Sequence, residues 1–150
     1  MAIAPVNVPT LDEFLTQLRR HKLKATRQRI AVHQVMQTLG HASAEDVREE
    51  LVRQGSAISA ASVYNILSQL ADCRIYSRRF SATNKLFFDI DNSRHIHLYD
   101  RENHQYRNVA DDELALLVAS SLKHRKFKGY TVEDIDIQLI ARPTRKKKSV

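Results

Sequence analysis

Apolar residues recur at three- and four-residue steps through the first half of the chain and at two-residue steps through much of the second. Leu11, Phe14, Leu15 and Leu18 form one stripe, which predicts a helix over residues 11–22 with Thr10 as its cap. Ile30, Val35, Met36 and Leu39 predict a second helix, capped by Thr26 and closed by Gly40. Ser43 and Gly55 bracket a third. Ser59 opens a fourth, which runs to about Cys73 and gathers Val63, Ile66, Leu67 and Leu70 on one side. The period then changes. Residues 75–80 and 85–90 read as two strands joined by a hairpin at Ser81-Ala82-Thr83-Asn84. Residues 95–99 and 105–109 predict two further short strands. Asp111 or Asp112 opens a helix carrying Leu114, Leu117, Val118 and Leu122. Residues 130–140 predict a last strand, because Ile135, Ile137 and Leu139 alternate.

Helices followed by a β-hairpin, the last helix facing outward, is the order of a winged helix-turn-helix domain. The expected class is α+β: an N-terminal winged helix-turn-helix DNA-binding lobe and a C-terminal α/β dimerisation lobe. The expected boundaries are an arm at 1–10, the DNA-binding domain at 11–91, a dimerisation and sensing domain at 92–141 and a basic tail at 142–150. Three strands and one helix are too few to close a core alone. A second copy would complete that sheet; packing against the chain's own DNA-binding lobe is the alternative.

The outer face of the fourth helix sharpens the picture. Ala61, Asn65 and Ser68 lie opposite the apolar side, with Tyr64 on the flank and Ser59 and Ser62 at the start. Short hydrogen-bonding groups and an aromatic suit a DNA groove better than the Glu and Lys of an ordinary solvated helix. An amphipathic helix with a plain polar face is the bland alternative. The 150-residue chain has a net charge of +7, unevenly spread. Residues 1–83 hold 11 Lys and Arg against 7 Asp and Glu, residues 84–141 hold 8 against 10, and residues 142–150 hold 5 against none. The basic excess therefore sits with the candidate reading helix and in the tail. The tail reads either as a solvated end or as an arm adding phosphate contacts.

Composition excludes several classes. No apolar run approaches 18 residues, so no membrane span is expected, and the start of the chain lacks signal-peptide features. The single cysteine, Cys73, excludes an internal disulfide and a structural zinc site built from four cysteines, which points to the cytoplasm. Cys73 reads as a core or helix-end residue, with a thiol sensor as the alternative. A His/Asp hydrolase is disfavoured: no glycine-rich phosphate loop and no Ser-His-Asp arrangement is present. A winged-helix protein that binds DNA or RNA without any ligand is the second functional reading.

Five motifs carry a resemblance: Leu23-Lys-Ala-Thr-Arg-Gln-Arg29, His41-Ala-Ser-Ala-Glu-Asp46, Ala61-Ser-Val-Tyr-Asn-Ile-Leu67, Phe88-Asp89 and His95-Ile-His97. Together, over residues 11–140, they resemble the ferric uptake regulator (Fur) superfamily, and most of all its iron response regulator (Irr) branch. The resemblance implies a homodimeric winged-helix regulator, a repressor or activator, acting at AT-rich operators of iron or haem metabolism genes. It implies that Tyr64 meets the major groove, that Lys24 reaches toward the minor groove and that Arg27 and Arg29 lie near phosphates. For Arg29 a salt bridge inside the DNA-binding lobe is the alternative.

The resemblance also implies a metal site between the lobes, matched here by His41, Asp89, His95 and His97. Strand residues two apart share a face, so His95 and His97 can grip one ion together. Three imidazoles and a carboxylate suit Zn²⁺, Fe²⁺ or Mn²⁺. The cysteine pairs of many members are missing, with Asp100 and Asn103 where the first pair would stand. A second family metal site fails too, because Arg94, Ile96, Ala115 and Ile135 occupy its positions. In the Irr branch haem is the effector, which the resemblance places at or near His95 and His97.

Overall fold

The computed structural model describes residues 2–3 (backbone only), 7–81, 83–91 and 96–145. Along them run β1 (Ala2–Ile3), α1 (Leu11–Arg20), α2 (Arg27–Leu39), β2 (His41–Ala42), α3 (Ala44–Arg53) and α4 (Ala60–Asp72). Then come β3 (Ser77–Phe80), β4 (Leu86–Asp89), β5 (Ile96–Asp100), β6 (Gln105–Ala110), α5 (Asp112–Leu122) and β7 (Gln138–Ala141). The chain forms two compact units, Val6–Ser93 and Met1–Pro5 with Arg94–Val150.

In Val6–Ser93 each helix starts where a short polar side chain can accept its orphan amides. Thr10 accepts from the Glu13 amide at 3.2 Å while the Glu13 carboxylate accepts from the Thr10 amide. Ser43 and Asp46 make the same reciprocal box. Thr26 and Ser59 accept from the amides of Arg29 and Ser62. α2 stops at Gly40, whose φ of 71° favours glycine, and the chain turns directly into β2.

The helices bury Phe14 and Leu18, then Val32, Val35 and Met36, then Val47 and Leu51, then Val63, Leu67 and Leu70. Ile75, Tyr76, Phe88 and Ile90 close this core. The buried stripe of α2 differs from the expected one. Val32 and His33 are inside with Val35 and Met36, Ile30 is half-buried and Leu39 is exposed. A histidine on the inner face hides the period, because its letter reads as polar.

The hairpin of β3 and β4 gains a third strand that no pattern announces. The sheet order is β2-β4-β3, with His41 opposite Asp89 and Ala42 opposite Phe88. Two residues are too few to show a period of two. Ala82, in the predicted hairpin turn, lies outside the described residues. Three-stranded wing and helices together make the expected winged helix-turn-helix.

The second unit holds a four-stranded sheet in the order β1-β6-β5-β7. β5 and β6 pair antiparallel, with Tyr99 opposite Tyr106. Asp100 closes their turn: Oδ1 accepts from the amides of Glu102 and Asn103, and Oδ2 accepts from the Asn103 side chain at 2.7 Å. These bonds, that from the Asn103 side chain first, hold the Asp100 carboxyl below its usual range. β1, from the stretch expected to be an arm, pairs with β6. β7 lies parallel to β5 and is shorter than the alternation predicts. Among the described residues β5 begins at Ile96, and the His97 amide donates to the Ile137 carbonyl just before β7 begins. No residue of α5 is buried; Leu116 and Leu117 are 66% and 63% exposed.

One buried polar group anchors the first unit. His33 stacks on Phe14, centroids 3.9 Å apart, and its Nε2 lies 3.1 Å from the Pro9 carbonyl. A carbonyl only accepts, so Nε2 carries the proton and Nδ1 accepts from the Tyr76 hydroxyl at 2.7 Å. Burial holds the His33 pKa below its ordinary value and pushes the Tyr76 hydroxyl up. The neutral imidazole thus contributes stability that is fully present above the ordinary value of 6.5 and is lost as pH falls below it, down to the folded-state value. Urea unfolding should weaken below that pH by up to about 1.4 kcal/mol per pH unit from this residue. His33→Gln should remove that part of the slope; an unchanged slope would assign the pH dependence elsewhere.

Candidate metal centre and nucleic-acid interface

The first unit carries both the candidate DNA face and half of the candidate metal ligands. On α4, Ser59, Ala61, Tyr64 and Asn65 are exposed, Tyr64 by 47%. Ser62 is half-buried and accepts a hydrogen bond from the Ser59 hydroxyl at 2.9 Å. Ser68 departs from the expected outer face: its hydroxyl oxygen is buried, with no hydrogen-bond partner among the described residues. The wing explains this. Arg78 of β3 reaches across the end of the helix, donating to the Ser68 carbonyl and pairing with Asp72. Of the residues expected to read DNA, the open ones therefore lie in the first two turns of α4 and at its cap.

Lys24 and Arg27 are exposed before and at the start of α2. Arg29 is half-buried and engaged within the unit. Nη1 donates to the Lys24 carbonyl at 2.7 Å, and Nη2 donates to Gln69 Oε1 at 2.6 Å. It ties the loop carrying Lys24 to α4. That favours the structural alternative for Arg29, through hydrogen bonds rather than a salt bridge.

His41 and Asp89 are brought together by the β2–β4 register. His41 Nε2 lies 2.9 Å from Asp89 Oδ2, and Asp89 is only 1% exposed. The other carboxylate oxygen accepts the Asp91 amide at 2.9 Å, and Asp91 in turn accepts the Asn7 amide. Arg79 Nη2 stands 3.7 Å from the same Oδ2 that faces His41. Sequence reasoning misses Arg79. In the pair Arg78-Arg79 one residue must point to each face of β3, and the letters do not say which.

His97 lies in the second unit, buried on β5, edge-on to Tyr106. Its Nδ1 is 3.3 Å from Asp136 Oδ1. A neutral imidazole donating from Nδ1 keeps its lone pair on Nε2, the arrangement of a metal-binding histidine supported by a carboxylate. Sequence reasoning misses Asp136 too, although an acid between Ile135 and Ile137 is a readable signal. His95 lies outside the described residues.

These donors fit a divalent first-row ion. A buried carboxylate meets an imidazole at 2.9 Å, and a second buried imidazole has its own carboxylate support. In the first unit His41 and Asp89 could hold such an ion; His97 belongs to the second unit.

A family model described as "Ferric uptake regulator family" matches residues 20–139. The ferric uptake regulation protein of Klebsiella pneumoniae is 31% identical over 104 residues, 67% of this chain and 67% of that protein. Matches to several other curated ferric uptake regulation proteins cover little more than half of those proteins. The fold matches the Vibrio cholerae ferric uptake regulator with a TM-score of 0.71 at 23% identity, over 85% of this chain and 98% of that one. It matches the Pseudomonas aeruginosa ferric uptake regulator, solved with manganese, with a TM-score of 0.70 at 23% identity, over 87% of this chain and 98% of that one. A family of regulators, not enzymes, leaves no place for the hydrolase reading. The chain belongs to the ferric uptake regulator family, whose match runs over residues 20–139, from the end of α1 into β7.

Proposed function

We propose that this protein is a metal-responsive transcription regulator that binds operator DNA as a homodimer. The observation that carries the proposal is the buried His41–Asp89 pair, set across β2 and β4 in a winged-helix unit. An imidazole and a carboxylate held this way suit Zn²⁺, Fe²⁺ or Mn²⁺, and the family resemblance implies His95 and His97 as the further ligands. When bound, the ion supplies charge and fixed ligand directions. The chain's residues do the reading: Tyr64 and Asn65 meet base edges, Ser59, Ala61 and Ser62 line the approach, and Lys24 and Arg27 meet phosphates. Arg29 positions Lys24.

The finer reading follows the Irr resemblance: iron or haem metabolism genes, AT-rich operators, repression and a cytoplasmic site of action. Among the described residues no helix is long and apolar enough to cross a membrane. The donor set favours an ion over haem, because a buried carboxylate beside an imidazole is a hard donor pair suited to a divalent ion. The homodimer is supported by α5, an apolar helix with none of its residues buried. A second copy of the chain covers it.

The test titrates Mn²⁺, and separately haem, into the metal-stripped protein with a labelled pool of AT-rich duplexes. Mn²⁺ should change DNA affinity, and His41→Ala or Asp89→Ala should abolish that response. A response to haem alone, lost in His97→Ala, would move the effector to haem. No response to either would leave the ligand-independent reading.

Tyr64→Ala should weaken specific binding while changing stability by no more than about 0.5 kcal/mol, read by urea unfolding. Lys24→Ala should reduce the slope of log affinity against log salt by about 1. Arg29→Ala should instead cost about 1 kcal/mol or more of stability and leave that slope unchanged. Leu116→Glu with Leu117→Glu should give a monomer in sedimentation experiments; a persistent dimer would place the interface elsewhere.

A further inference from the structure

Arg79 is charged, buried and placed on the carboxylate that the metal reading needs. It is only 8% exposed. On β3, Ser77 is opposite Asp89 and Arg79 is opposite Phe87, so Arg79 is the diagonal neighbour of Asp89, within reach of a long side chain. Its Nη2 donates to the Ser77 hydroxyl at 3.2 Å and stands 3.7 Å from Asp89 Oδ2. Oδ2 is also the oxygen facing His41, while Oδ1 accepts the Asp91 amide. One carboxylate oxygen is thus shared between an imidazole and a permanent cation.

A buried guanidinium is tolerated only when matched by an anion. At 3.7 Å the match to Asp89 is electrostatic rather than a close hydrogen bond, so it restrains the carboxylate without occupying it. A divalent ion taking Oδ2 would find that positive charge already beside it. Like charges in a poorly solvated site repel strongly.

We propose that Arg79 is the resident cation of the His41–Asp89 site. It balances Asp89 when no ion is bound, and by repulsion it sets the free-ion concentration at which the site loads. The inference rests on the metal reading above and assigns Arg79 as a specificity-determining residue rather than a ligand. A site with a built-in competitor loads only when free metal is abundant. It therefore acts as a sensor rather than as a permanently filled structural site.

The test is a Mn²⁺ titration of the purified full chain, followed by electron paramagnetic resonance of the free ion, with melting curves alongside. Arg79→Gln should bind Mn²⁺ about tenfold tighter than the unaltered protein, or more. Arg79→Lys, which keeps the charge, should stay within about threefold of it. Metal-free Arg79→Gln should melt lower, and Mn²⁺ should raise its melting temperature by more than it raises that of the unaltered protein. If Arg79→Gln folds only when Mn²⁺ is present, the same competition is read by refolding; failure to refold with the ion overturns the proposal. Unchanged or weaker binding in Arg79→Gln, with Asp89→Ala still abolishing binding, overturns the role of Arg79 and leaves the metal site standing. Binding that survives Asp89→Ala removes the site and the proposal with it.

Discussion

A ladder of two residue pairs, His41 with Asp89 and Ala42 with Phe88, joins the helices of the first unit to its wing. On one side Ala42 and Phe88 enter the core built by α1 to α4. On the other, the same register faces an imidazole with a buried carboxylate. The backbone reinforces it, since the Ile90 amide donates to the Gly40 carbonyl at 3.0 Å. Core packing and ligand placement therefore share one register. A slip of one residue would turn Asp89 into the core and Phe88 out of it. Stability of the helical core thus enforces the geometry of the candidate site.

What was legible in the sequence follows from how each feature is encoded. The four helices of the first unit were readable because their caps and stripes are local: Thr10, Thr26, Ser43 and Ser59 each cap the helix they were expected to cap. β2 was not readable, because two residues carry no period and their partner lies far along the chain. β1 was hidden for the same reason. The α2 stripe was misjudged because His33 behaves as a buried aromatic, stacked on Phe14 with both ring nitrogens satisfied. His41 and Asp89 came from motif resemblance, and their proximity is a matter of register. Arg79 and Asp136 belong to the layer behind the ligands, which spacing does not reveal.

The electrostatics of the first unit divide by depth. On the surface, α4 carries no acid in its first turn, and its open face is short and polar except for Tyr64. Lys24 and Arg27 place exposed positive charge before and at the start of α2. In the interior, among the described residues, the buried charge lies at the wing, in Arg79, Asp89 and Asp91. Arg29 sits between these regimes: a cation used to hold a loop and a helix in fixed relation.

The second unit poses a different physical problem. Its sheet satisfies the backbone through β1, β6, β5 and β7, and Asp100 closes a turn with hydrogen bonds to Glu102 and Asn103. Its helix contributes little to a private core, because α5 buries none of its residues. Apolar area left in water contributes nothing to folding, at about 25 cal/mol for each Å² not buried. A unit built this way would gain stability by association, and its folding would then be linked by mass action to the concentration of its partner. In the proposed homodimer that linkage would also bring two α4 helices into one molecule, and the phosphate contacts proposed for each would then add on one duplex. The exposure of α5 is thus the physical ground on which the proposed homodimer rests.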